Sequence, residues 1–329
     1  MLNTDQLTIR RRLLAAGAVG LLSPRLSFAD KNFPSRPINF ICPWPSGGTA
    51  DQSMRAICTV AGRVLKQAIT VDNRAGAAGM VGAKALASAR ADGYTIGQIP
   101  ISVTRFHQLN MLQSDPLKDF THLARTSGQT FGIVILPQSP FKSLKDMVAS
   151  AKAQPGKVTY AHSGVGGATH VGMEEFALSA NIKLNAIAYK GGAPALQDTL
   201  GGQVDMLVDS SSWASLVGAG KLRLLATWGE QRTARFKDTP TLKELGYNVV
   251  VDAPNGVGAP AGLPIEVEKK LRDAFRFAVA SDEFKAVAAR IDAPLMSLDG
   301  PQYKDFVRAT YKKETQLIER LNLREMLKG

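Results

Sequence analysis

The residues best placed for chemistry sit in glycine-rich turns. The stretch YAHSGVGGATHVGMEEF, residues 160–176, reads as a strand, a glycine turn and a helix. Such a turn can hold an anion, because the first turn of a helix has unpaired N–H donors and a partial positive charge. Three further loops at predicted strand ends are rich in glycine: residues 45–51, which also carry Pro45, Ser46 and Thr49, residues 76–82, and residues 191–194, which end in Pro194. Anion capture by backbone N–H groups and the hydroxyls of Ser46, Thr49, Ser163 and Thr169 is therefore the first expectation.

Catalysis finds less support. His162 and Ser163 are adjacent, so their side chains diverge, and no G-x-S-x-G elbow surrounds the serine. Glu174 and Glu175 are consecutive on a predicted helix and cannot act together across one site. His107, His122, His162 and His170 lack paired zinc spacing, and Cys42 and Cys58 add no ligand cluster. A dinucleotide reading of residues 163–168 needs an acid at the end of the next strand, which instead ends Ala188-Tyr189-Lys190. No catalytic set, metal or cofactor is expected.

These loops are positioned by alternating elements. Strand-like segments at 37–42, 68–71, 94–101, 131–136, 157–161, 183–189, 203–208 and 222–227 alternate with helical spacing. That pattern predicts α/β architecture with mostly parallel sheets in two series. Past residue 250 the pattern changes: Val249-Val250-Val251 leads into a Pro- and Gly-rich segment at 253–264, and the remainder reads as almost all helix. Ligands of such folds bind at the carboxyl ends of strands and between domains.

The chain has 329 residues and a net charge of +12. Residues 10–12 are three arginines, followed by an uncharged apolar run at 13–22 and the small residues Ser27-Phe28-Ala29. These are the parts of an export leader cut near Ala29. The segment Thr8–Leu14 resembles a twin-arginine motif; a general secretory leader is the alternative. Removing residues 1–29 takes away four arginines and one aspartate, leaving +9. The basic residues are scattered among acids, with no run of four or more and no aromatic interleaving, so a nucleic-acid groove is not expected. In an exported protein Cys42 and Cys58 could pair; their apolar surroundings favour two buried thiols.

Seven motifs in order carry a family resemblance: Phe33-Pro34-Ser35-Arg36-Pro37-Ile38, Pro43-Trp44-Pro45-Ser46-Gly47-Gly48-Thr49-Ala50-Asp51, Asp72-Asn73-Arg74-Ala75-Gly76-Ala77-Ala78-Gly79, Ala91-Asp92-Gly93-Tyr94-Thr95, Ser163-Gly164-Val165-Gly166, Tyr189-Lys190-Gly191-Gly192-Ala193-Pro194-Ala195-Leu196 and Gly201-Gly202-Gln203-Val204-Asp205. They resemble the extracytoplasmic solute receptors of the tripartite tricarboxylate transporter type, also called Bug (Bordetella uptake gene) proteins. The resemblance implies a two-domain Venus-flytrap fold in the periplasm, with a helical tail packing on domain 1. It implies domain 1 at 30–126 and 253–329, domain 2 at 127–252, and crossovers near 127 and 253. The implied ligand is a small organic acid, such as a dicarboxylate, an amino acid, or a nicotinate-like or aromatic acid. A two-component membrane permease is the implied partner, and a monomer the expected state.

The resemblance assigns the ligand carboxylate to the first strand–helix loop and its counterpart in the second lobe. In this chain those loops supply Ser46, Gly47, Gly48, Thr49 and Asp51, and Ser163, Gly164, Gly166, Gly167, Thr169 and His170. Ser102, Gly191 and Asp209 are further expected contacts. Trp44 and Ser46 stand where the family usually has a phenylalanine and a proline, Ala75 where a proline is common, and Met80 where a polar residue is common. An indole and a thioether at Trp44 and Met80 would favour an aromatic or apolar acid. A sensor that presents ligand to a membrane kinase, or an exported hydrolase using the same cleft, are the alternatives.

Overall fold

The computed structural model describes residues 32–251 and 253–327. The export leader and its cut site at Ala29 fall outside them. A first series runs β1 (Ile38–Cys42), α1 (Thr49–Leu65), β2 (Ile69–Asn73), α2 (Met80–Ala87), β3 (Thr95–Pro100), α3 (Val103–Gln108) and β4 (Phe120–Ser127). A second runs β5 (Phe131–Ile135), α4 (Leu144–Ala153), β6 (Thr159–His162), α5 (Ala168–Ala180), β7 (Asn185–Ala188), α6 (Gly192–Leu200), β8 (Met206–Ser210), α7 (Ala214–Gly218) and β9 (Arg223–Thr227). The chain closes with β10 (Asn255–Pro260), α8 (Ile265–Ala280), α9 (Asp282–Arg290), β11 (Leu295–Asp299), α10 (Gly300–Arg320) and α11 (Leu323–Met326).

The strands form two sheets, ordered β11-β4-β10-β3-β1-β2 and β7-β6-β8-β5-β9. Central strands are apolar on both faces because helices cover both; every residue of β5 and β8 is buried. In α1, Met54, Ile57, Cys58 and Ala61 recur at helical spacing and pack with Phe40, Leu271 and Phe275. The C-terminal helices thus return to the first sheet. Their end reaches further, since Ile318 and Leu323 cluster with Val171 of α5.

Two expectations are corrected. The sheets are mixed rather than mostly parallel: β1 pairs parallel with β2 and β3, and β6 with β7 and β8, but β10, β11 and β5 pair antiparallel. The Pro- and Gly-rich segment at 253–264, read as a break in the strand–helix alternation with almost all helix after it, also holds a strand. Within it, β10 is a fully buried strand between β3 and β4. Its glycines answer to crowding, because a Cβ on Gly256 would overlap the Tyr303 ring and one on Gly258 the Ile99 side chain. β4 and β11 likewise escaped the sequence pattern. Cys42 and Cys58 are buried free thiols, and burial pushes the Cys42 pKa up to about 12.

The chain passes between sheets after Ser127 and returns before Asn255. Asn255 fastens the two crossings together: its Nδ2 donates to Ser127 Oγ (3.0 Å) and its Oδ1 accepts from Gln129 Nε2 (3.3 Å).

Candidate functional site

Two strand–turn–helix units face each other across the gap between the sheets. In the first, the chain leaves β1 through Pro43-Trp44-Pro45 and turns at Gly47, whose φ of 86° only glycine adopts freely. Gly48 is the N-cap of α1 and has no side-chain cap, and Gln52 N is the first helical donor to find a carbonyl, that of Gly48. The preceding first-turn N–H groups remain without helical partners. The turn is held by Asp51, whose buried carboxylate accepts from Gly47 N (2.9 Å), Arg55 Nε (3.0 Å) and Asn73 Nδ2 (2.8 Å). Burial pushes the Asp51 pKa up, but these hydrogen bonds outweigh it and hold the carboxyl below its usual range.

The second unit repeats the backbone with different side chains. Gly166 has φ 72° and Gly167, the uncapped N-cap of α5, has φ −70° and ψ 173°, against −70° and 166° at Gly48. Here two histidines hold the turn. His162 Nδ1 accepts from Gly164 N (3.3 Å) and His170 Nδ1 from Gly166 N (3.1 Å), with the rings stacked 4.4 Å apart. Accepting at Nδ1 requires neutral rings protonated at Nε2. Burial lowers the pKa of His162 to about 3 and, aided by Arg105, that of His170 to about 4. Across the gap, Arg105 on α3 donates to the Gly166 carbonyl (2.8 Å) while pairing through two nitrogens with Glu314 of α10. Ser163 Oγ and Thr169 Oγ1 share a 2.9 Å hydrogen bond.

Between these turns lies a cavity of about 60 Å³. Helix starts converge on it: Gly48, Thr49 and Ala50 from α1, Ala168 and Thr169 from α5, Gly192 and Ala193 from α6. Among the described residues, no lysine, arginine or histidine lines it; Trp44, Pro45, Pro100, Ile101 and Phe131 form apolar walls. The lobes touch closely, since a Cβ on Gly164 would lie 3.0 Å from Ala78 and one on Gly191 2.5 Å from Pro45. Among the described residues, no partner serves Trp44 Nε1, Thr49 Oγ1 or Gln98 Oε1. Asp209 also lines the cavity; its carboxylate abuts Gly192 at the start of α6 and accepts from Ser212 Oγ (2.7 Å). Burial pushes its pKa up to about 6.

Seven of the residues singled out from the sequence line this cavity: Trp44, Gly48, Thr49, Ser102, Ser163, Thr169 and Asp209. Ser46 and Gly47 are exposed on the first turn, and Asp51 is the lock behind it. Gly164, Gly166, Gly167 and His170 build the second turn without lining the cavity, and Gly191 lies against Pro45. Met80 packs instead with the cluster of Ala78, Ala83 and Leu86. The lining residues that sequence reasoning missed include Gln98, Gln129, Phe131, Ser210, Ala253 and Pro254. Gln98 had a signal: it is polar in the middle of a strand whose other residues are apolar or small.

The tripartite tricarboxylate transporter family receptor model matches residues 54–323. A Cupriavidus necator protein described as "UPF0065 protein in gbd 5'region" is 38% identical over 310 residues, covering 94% of each chain. The structure of the periplasmic binding protein BugD superposes with a TM-score of 0.84 at 25% identity, over 88% of this chain and 99% of that one. The R. palustris protein Rpa4515 with adipate does so with a TM-score of 0.83 at 26% identity, over 88% and 98%.

Proposed function

The chain belongs to the tripartite tricarboxylate transporter receptor family, a Bug-type solute receptor with the two-domain periplasmic binding-protein fold rather than an enzyme, and from that premise we propose what it captures and how. It binds one small organic carboxylate in the cavity between the two turns. The carboxylate sits between the N-termini of α1 and α5, held by their first-turn N–H groups and by Thr49, Ser102, Ser163 and Thr169. The observation that carries this reading is the convergence of uncapped helix starts on a cavity that, among the described residues, no cationic side chain lines. Helix ends and hydroxyls hold an anion firmly enough to retain it and loosely enough to release it. Rpa4515 with adipate is a relative consistent with this chemistry.

The domains are 30–126 with 253–329, and 127–252, and they close about the crossings tied by Asn255. The monomeric receptor is exported by its twin-arginine leader, cut near Ala29, and delivers ligand to a two-component permease. The ligand has an aromatic or apolar body, since Trp44 and Phe131 flank the cavity. Met80, half-buried against the Ala78, Ala83 and Leu86 cluster, takes no part in that preference.

A thermal-shift screen of organic acids tests the reading. An acid at 100 times its dissociation constant adds about 2.7 kcal/mol of stability. If no carboxylate stabilises the protein, the reading fails. Trp44→Ala should weaken benzoate and nicotinate about tenfold and succinate little; equal effects on both classes would remove the aromatic preference.

A further inference from the structure

The cavity is built for more than an anion. Its hydrogen-bond polarity can be fixed from a group with one orientation. The Gly128 carbonyl can only accept, and Asn255 Nδ2 lies toward it (3.5 Å) and toward Ser127 Oγ (3.0 Å). Asn255 therefore presents Oδ1 to the two glutamines, accepting from Gln98 Nε2 (2.8 Å) and Gln129 Nε2 (3.3 Å). Gln98 has spent its nitrogen on Asn255, so the atom it turns elsewhere is Oε1, an acceptor.

That acceptor has no partner among the described residues, although Gln98 is only 1% exposed and lines the cavity. An unserved buried acceptor costs roughly 1–3 kcal/mol. The second acceptor is Asp209, 5% exposed in the same cavity. Ser212 Oγ and the Ser210 backbone donate to it, and among the described residues no cationic side chain offsets its charge. A carboxylate has about four acceptor positions, so these two donors leave it unfilled. A buried carboxylate without a counter-charge is unfavourable, and burial accordingly pushes its pKa up to about 6.

A plain carboxylate supplies no hydrogen to either group and adds like charge beside Asp209. On the reading that the cavity holds a carboxylate, we propose that its ligand also carries an N–H donor, a protonated amine in the first instance, received by Gln98 Oε1 and the Asp209 carboxylate. The ligand class is thus an amphoteric acid: the anionic end at the starts of α1 and α5, the amine at these acceptors, an apolar body against Trp44 and Phe131. Gln98 couples this recognition to closure, because its Nε2 donates to the asparagine that joins the two crossings.

Two ligand pairs that differ only in the amine test the proposal by calorimetry: phenylalanine against 3-phenylpropanoate, and glutamate against glutarate. In the wild-type protein the amine-bearing member of the pair that fits should bind about tenfold tighter or better. Asp209→Asn and Gln98→Met, each checked for a cooperative melt, should erase that preference, the amine-bearing acid falling to the affinity of its amine-free partner measured in the same variant. The proposal is overturned if the amine-free members bind as tightly as their partners, if only amine-free acids such as adipate or benzoate bind, or if the preference survives both substitutions. Those outcomes leave the carboxylate reading intact. Failure of every acid, with or without an amine, removes the carboxylate reading and the proposal with it.

Discussion

The two turns that face each other across the cavity share a backbone and differ in what secures it. Each has a left-handed glycine, an extended glycine N-cap without a side-chain cap, and a threonine in the first helical turn. The first is locked by a charged group, Asp51, partly neutralised by Arg55. The second is locked by two neutral imidazoles. The difference shows that the lock and the ligand contact are separate tasks. A side chain that took over an N-cap's role would consume the donors that an anion needs, so both turns are secured from behind. Asp51 and His170 serve their own glycine N–H groups and leave the helix start open.

Removing the locks should break the comparison most visibly. Asp51→Ala leaves Gly47 N and Arg55 Nε without their acceptor, while Asn73 Nδ2 keeps the Trp44 carbonyl, and should cost about 2–4 kcal/mol in urea melts. His170→Phe keeps the stack on His162 but orphans only Gly166 N–H, and should cost about 1–2 kcal/mol. Equal costs would mean that the charge in the first lock is immaterial.

The glycines give the next contrast. Gly164 has φ 137° and a Cβ there would press on Ala78 of the opposite lobe, whereas a Cβ on Gly47 meets nothing within 4 Å. Gly164→Val should therefore oppose closure and weaken acid binding about a hundredfold. Gly47→Ala should cost stability through its positive φ but change affinity less than about threefold. Titration calorimetry decides, and similar affinity losses at both sites would show that the contact with Ala78 does not govern closure.

Titration sharpens the contrast by the smallest margin. Asp209 has its pKa raised from 3.8 to about 6, so the folded state holds its proton longer than the unfolded state. Its contribution to stability is present below pH about 4 and is lost as pH rises through about 6. His162 and His170 are lowered to about 3 and 4, so their contribution runs the other way and grows from about pH 3 to 6.5. Asp209→Asn deletes only the falling term. The variant should match wild type near pH 4 and exceed it by roughly 1–3 kcal/mol at pH 7. A constant difference across that range would contradict the assignment.

What the sequence revealed follows the same division. The loops were legible because glycine, proline and hydroxyl residues cluster where a strand hands over to a helix. Helices such as α1 were legible through their spacing. β10 was not, since its glycines make room for Tyr303 and Ile99, partners distant in the chain. The division of labour within each turn was also hidden. Asp51 and His170 read as ligand contacts because they sit in the right loops, and only three-dimensional hydrogen bonding shows them facing away from the cavity. Gln98 stood out as a polar residue in a buried strand, but its polarity follows from a network that joins residues 98, 127, 128, 129 and 255.

The central claim is that one carboxylate is held jointly by the starts of α1 and α5. Backbone amide chemical shifts of Thr49, Ala50, Ala168 and Thr169, followed as a bound acid is titrated into labelled protein, test it most directly. The account predicts that amides from both helix starts shift, and that all of them saturate along one curve with a single dissociation constant. Shifts confined to one helix start, or saturation at different concentrations for the two, would contradict it.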